Sequence, residues 1–150
     1  MIARISTHFA CTESELWQQI TKPESLQYVA WPILTFSPIE PGAFDSEWEL
    51  GRDYPLKLYF LKFIPLGRHT IQLVKIDTEE NIIWSRERGL LAPVWNHKIS
   101  FQETKPGLVS YSDEVEIRAG FLTLLIWVFA HGFYRYRQQR WKRLLKNSSN

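Results

Sequence analysis

The chain has 150 residues, 45% hydrophobic, 15% aromatic and 23% charged, with a formal net charge of +2. That composition excludes a disordered or low-complexity chain, which has too little apolar surface to offset its conformational entropy. The length fits a single domain, 1–150, with a core spanning about 2–146 and a flexible tail at 147–150.

One cysteine, Cys11, excludes an intramolecular disulfide and suits a reducing compartment, so a cytoplasmic location is expected. The opening MIARISTHFACTESELW lacks the apolar stretch of about 7–15 residues that a secretory signal needs, and export is not expected. Charge is unevenly placed: residues 1–118 carry 12 basic and 16 acidic side chains, residues 119–150 six basic and none acidic. A basic pole can meet nucleic acid or an anionic membrane, but basic residues late in a helix also complement its dipole.

In chain order, residues 2–10 alternate apolar and polar side chains and predict a strand. Thr12 followed three residues later by Glu15 is a capping box opening the helix TESELWQQI. Pro23 ends that helix and starts a second short one, PESLQYV, and Trp31-Pro32 leads into the strand ILTFSPI. After the turn at Glu40-Pro41-Gly42, six strand-like segments follow: SEWELG, PLKLYFLKFI, RHTIQLVKI, NIIWSRERG, PVWNHKISFQ and LVSYSDEVEIR. The breaks among them are PLG, DTEEN, LLAP and TKPG, which gives a run of hairpins. One strand, two short helices, an antiparallel meander of about six or seven strands in all and a terminal helix make an α+β domain whose sheet that helix covers.

The last two strands carry the sharpest local inference. Alternation puts Trp95, His97, Ile99 and Phe101 on one face of the first, and Val109, Tyr111, Asp113, Val115 and Ile117 on one face of the second. A register in which paired numbers sum to about 210 sets His97 against Asp113; a slip of two sets it against Tyr111 or Val115 instead. The pair is then either a buried hydrogen bond that fixes register, or a polar anchor or acid/base pair in a cavity.

In the terminal helix, the apolar run Phe121–Ala130 is ten residues, far below the roughly 20 a membrane-spanning helix needs. A helical projection sets Arg135, Gln139, Lys142, Arg143 and Lys146 opposite Ile126, Ala130, Phe133, Trp141 and Leu144. Phe121, Leu125 and Val128 fall on the side that later turns basic, so the first half is apolar all round and either buried or presented to a second copy or a membrane surface. Arg137 interrupts the apolar side, where it snorkels, finds a carboxylate or faces a polar ligand group.

This order of elements resembles the SRPBCC superfamily, the helix-grip fold shared by START domains, birch-pollen-allergen-like proteins and polyketide cyclase/dehydrase-type proteins. The likeness rests on the opening strand and capped helix with Trp17 and KPESL, the string IPLGRHTIQLVKID, the strand with Trp95-Asn96-His97, the strand ending YSDEVEI and the final YRYRQQRWKRLL. It covers nearly the whole chain. The resemblance implies a curved antiparallel sheet wrapped around a long C-terminal helix, with a lipid, polyketide or other apolar molecule held between them. Mapped here, it implies inward faces with Trp84, Arg86, Trp95, His97, Tyr111 and Asp113 looking across at Ile126, Trp127, Ala130, His131, Phe133 and Tyr134.

No HExxH, CxxC or Cys/His spacing, no GxGxxG or P-loop and no GxSxG elbow occurs, so no metal, cofactor or elbow nucleophile is expected. Nucleic-acid binding would rest on the basic tail with Tyr134, Tyr136 and Trp141 interleaved, without any recognised module, and is not expected. The leading expectation is binding of a hydrophobic small molecule between sheet and terminal helix. Two alternatives stand beside it. One is a cyclase- or dehydratase-like enzyme with His97 as acid or base, Asp113 orienting it, and Arg86 or Tyr111 stabilising charge. The other is an interaction module docking through Phe121, Leu125 and Val128.

Overall fold

The computed structural model describes residues 1–148. Strand β1 (Ile2–Phe9) leads to α1 (Glu13–Ile20), α2 (Pro23–Ala30) and β2 (Leu34–Pro38). Strands β3 (Asp53–Phe60), β4 (Ile64–Asp77), β5 (Ile82–Gly89), β6 (Val94–Lys105) and β7 (Leu108–Arg118) then form the meander. A 3₁₀ turn (Gly120–Leu122) opens α3 (Thr123–Ser148). All seven strands belong to one antiparallel sheet in the order β1-β7-β6-β5-β4-β3-β2. This is the α+β helix-grip arrangement, with two short helices after the first strand and the long helix across the sheet.

Local chemistry explains the boundaries. The Thr12 hydroxyl accepts from the Glu15 N–H at 3.1 Å while the Glu15 carboxylate accepts from the Thr12 N–H at 2.8 Å, which closes the expected capping box. Pro23 sits in the first turn of α2, where its missing N–H costs nothing. In α3 the buried positions run Ala130, Phe133, Tyr134, Arg137, Gln138, Trp141 and Leu145, a seam at three- and four-residue spacing.

Two expectations about strand boundaries change. Residues 46–51, read as a strand, are irregular apart from a single bridge from Leu50 to Leu73. The edge of β3 is already occupied by β2, and this segment docks through side chains: Trp48 lies edge-on to Tyr54 at 4.8 Å, and the Glu49 N–H donates to the Tyr54 hydroxyl at 2.8 Å. The break expected at Pro65-Leu66-Gly67 lies inside β4 as a register shift against β3, and the reversal comes earlier, where Leu61 and Lys62 adopt positive φ. At the other end, helix α3 runs through Asn147 and Ser148, and residues 149–150 of the expected tail lie outside the described residues.

The register of β6 and β7 is offset by two from the expected one: paired numbers sum to 212, His97 faces Val115 and Asp113 faces Ile99. A two-residue turn at Pro106-Gly107 and an irregularity between Glu103 and Lys105 set this register. The offset is even, so every side chain keeps its face, and all nine residues assigned to the inner faces are buried.

Candidate functional site

Two apolar clusters pack between sheet and α3, and polar side chains lie between them on successive elements. One cluster includes Ile71, Ile83, Ile99, Tyr111 and Trp141; the other includes Trp95, Val115, Ala130, Phe133 and Tyr134. On β6, His97 falls between Trp95 and Ile99; on β7, Asp113 falls between Tyr111 and Val115; on α3, Arg137 and Gln138 fall between Tyr134 and Trp141. His69 on β4, with Ser85 and Glu87 on β5, extends this belt across the sheet.

The belt contains two imidazole–carboxylate pairs. Asp113 is fully buried and accepts from three donors: His97 Nε2 at 2.7 Å and the Tyr111 hydroxyl at 3.0 Å on Oδ1, and the Gln138 amide at 2.9 Å on Oδ2. Gln138 also donates to the Ile5 carbonyl at 2.8 Å, tying the helix to β1. Glu87 meets His69 Nε2 at 2.9 Å and accepts from the Ser85 hydroxyl at 2.7 Å.

Burial opposes ionisation of both carboxyls, but the imidazole hydrogen bonds and charges, with Arg137 beside Asp113 and Ser85 beside Glu87, outweigh it and hold both pKa values below the ordinary range. An ionised Asp113 only accepts, so His97 Nε2 carries the proton of that bond; Nδ1 has no partner among the described residues and is the basic atom of the neutral ring.

Above the belt lies a cavity of about 420 Å³. Its wall is mainly apolar, with Leu34, Phe36, Leu58, Phe60, Phe129 and Phe133 prominent, and Leu90 and Leu91 of the β5–β6 turn also line it. His69, Glu87, His97, Trp95, Tyr134 and Arg137 are its polar contributors, joined by Arg68. The Trp95 indole N–H donates to the Tyr134 hydroxyl at 3.1 Å. Burial pushes both the Tyr134 and Tyr111 hydroxyls well above the usual phenol range, so both stay protonated.

Of the residues assigned to a ligand face from sequence, Trp95, His97, Ile126, Phe133 and Tyr134 line this cavity. Tyr111 and Asp113 stand behind its floor, touching it through His97. Ala130 is fully buried in the adjoining cluster without lining the cavity. Trp127 and His131 lie toward β1 instead: the Trp127 indole donates to the Ile2 carbonyl at 2.9 Å and its ring meets His131 at 4.4 Å.

Trp84 and Arg86 are on the opposite, exposed face of β5, because the strand turns Ile83, Ser85 and Glu87 inward. Arg86 is therefore not placed to stabilise charge in the cavity. Sequence reasoning missed His69 and Glu87; the available signal was the other alternation phase, Ile83-Ser85-Glu87 with His69-Ile71-Leu73 beside it.

Cys11 offers no reactive thiol, since burial, with Glu15 and Glu103 nearby, pushes it up to about 11. Among the described residues no cluster of three or more His, Cys, Asp or Glu side chains is placed to hold a metal ion. No helix among them is long and apolar enough to cross a membrane.

No protein-family profile matches the sequence, and no curated protein matches it. Solved structures do. A Chromobacterium violaceum protein, CV1439, aligns over 96% of both chains with a TM-score of 0.74 at 10% identity. TTHA0849 from Thermus thermophilus aligns over 100% of both chains with a TM-score of 0.73 at 7% identity. A START superfamily protein from Mycobacterium smegmatis aligns over 97% of both chains with a TM-score of 0.69 at 8% identity. At these identities the likeness is one of fold: the chain has the helix-grip fold seen in that START superfamily protein.

Proposed function

We propose that this helix-grip protein binds a hydrophobic small molecule, of lipid, polyketide or aromatic type, between its sheet and α3. The supporting observation is the cavity of about 420 Å³ with its largely apolar wall, which falls within the roughly 300–1,000 Å³ of small-molecule sites. Native mass spectrometry of protein purified from its own host should reveal a co-purifying apolar molecule. In parallel, 1-anilinonaphthalene-8-sulfonate should bind the wild type and not the cavity-filling variant Ala92→Trp. Equal dye binding by a folded Ala92→Trp protein would place the apolar site elsewhere.

A catalytic reading rests on one observation: His97 lines the cavity while Asp113 fixes its tautomer. In that reading His97 Nδ1 takes or returns a proton on a bound substrate, as in a cyclase or dehydratase, and Asp113 positions the ring. Product formation from a panel of polyketide-like substrates that stops with His97→Gln, with dye binding retained, would support it. Dye binding without turnover in any arm would leave the protein a carrier.

The rim supports a contact surface. Phe121, Leu125 and Val128 are 95%, 67% and 57% exposed, and Leu125 also lines the cavity, so this patch borders its mouth. Sedimentation at several concentrations tests for a second copy there, and vesicle pull-down with and without salt tests for a membrane.

A further inference from the structure

The floor of the cavity contains a cation with no hydrogen-bond or ion-pair partner among the described residues. Arg137 is 5% exposed, lines the cavity, and makes no hydrogen bond or ion pair with any described residue. Its Nε is sealed from solvent without an acceptor. The guanidinium carbon lies 4.9 Å from the centre of the Tyr134 ring and 5.9 Å from that of Phe133, both of which line the same cavity. Stacking of this kind holds a guanidinium in place but supplies no acceptor for its N–H groups. Buried arginines are normally paired, because an uncompensated charge away from water is costly.

The carboxylates nearby are already engaged. Asp113 takes its three donors from His97, Tyr111 and Gln138, and Glu87 is bonded to His69 and Ser85. They act on Arg137 through their charge, which with Tyr134 and Tyr111 outweighs burial and keeps the guanidinium protonated. The groups acting on Arg137 are thus Tyr134 from its own helix, Asp113 and Tyr111 from β7 and Glu87 from β5.

Resting on the reading of the cavity as a ligand site, we infer that the bound molecule is an amphiphile with an acidic head, a carboxylate or its equivalent. The head pairs with Arg137 at the polar floor, and the apolar body fills the space under Phe36, Phe60 and Phe129. A planar carboxylate offers two acceptors to the fork of a guanidinium, the geometry in which such pairs are strongest.

Isothermal titration with two matched pairs tests this: 2-naphthoate against 2-naphthamide, and decanoate against decanamide. Each acid should bind about tenfold or more tighter than its amide, the difference a charge-assisted pair supplies. In Arg137→Gln, with folding checked by near-ultraviolet circular dichroism, acid and amide should bind equally. Amides that match their acids in the wild type would overturn the acidic head and leave the carrier reading standing, and so would an acid preference that survives in folded Arg137→Gln. Failure of all four probes to bind would overturn both. The wild-type comparison needs no variant to fold.

Discussion

His97 reaches Asp113 diagonally across the β6–β7 ladder, with Nε2 2.7 Å from Oδ1, although the residue directly opposite His97 is Val115. The diagonal works because both side chains are on the inner face and the imidazole is long enough to span one extra rung. Asp113 then accepts three buried donors at once. Asp113→Ala leaves His97, Tyr111 and one Gln138 proton without an acceptor and removes a negative charge facing Arg137. Loss of about 3–5 kcal/mol is expected in urea unfolding. A loss below about 1 kcal/mol would mean that water replaces the carboxylate.

Acid should unfold the protein through the same belt. Asp113 and Glu87 have folded pKa values below their ordinary ones. Their stabilisation is therefore fully present above the unfolded-state range near about pH 4 and is lost as pH falls through the folded values. Midpoints of thermal unfolding should hold at neutral pH and drop steeply below about pH 4. The Glu87→Gln variant should begin from lower stability and lose less of it on acidification. Parallel curves for wild type and variant would contradict the depressed pKa of Glu87.

The elements of this fold are largely legible because they rest on local chemistry: the Thr12–Glu15 cap, Pro23 at a helix start, and alternation strong enough to place nine residues inside β6 and β7. What fails depends on neighbours. Residues 46–51 have strand-like composition, but β2 already takes the edge they would need. The resemblance implies an inward face for Trp84 and Arg86, whereas the strand turns Ser85 and Glu87 inside, where His69 on β4 can meet the carboxylate. The two-residue offset at Pro106-Gly107 changes which residues oppose each other without moving any off its face. Arg137 is visible as an interruption of an apolar stripe; only packing reveals that it has no hydrogen-bond or ion-pair partner among the described residues.

Gly89 makes room for His69. The two residues are paired across β4 and β5, and a Cβ at Gly89 would lie 2.6 Å from His69 Nδ1. Gly89→Ala must therefore push the imidazole away from Glu87 or bend the strand. A cost of about 1–3 kcal/mol is expected, as for other overpacked sites. The His69 ring resonances should shift in NMR while those of His97 stay near their wild-type positions. Unchanged His69 resonances would mean that the backbone yields instead.

The basic character of α3 is partly consumed inside the protein, which bears on whether the tail is a nucleic-acid surface. Arg140 donates through Nε and Nη2 to the Tyr28 carbonyl at 3.2 and 3.1 Å, and its guanidinium carbon lies 3.9 Å from the centre of the Tyr28 ring. This clamp satisfies a carbonyl in the last turn of α2, one of the four that a helix end leaves without intrahelical partners. Arg137 is buried in the cavity floor, and Arg135 donates to the His131 carbonyl one turn back at 2.9 Å. Arg140→Ala should cost about 1–2 kcal/mol through the lost hydrogen bonds and ring contact. The loss should persist in about 1 M salt, because a partly buried carbonyl and ring face are screened far less than paired surface charges. A destabilisation that disappears in salt would instead assign Arg140 to long-range surface electrostatics and return the basic face to consideration as a site for polyanions.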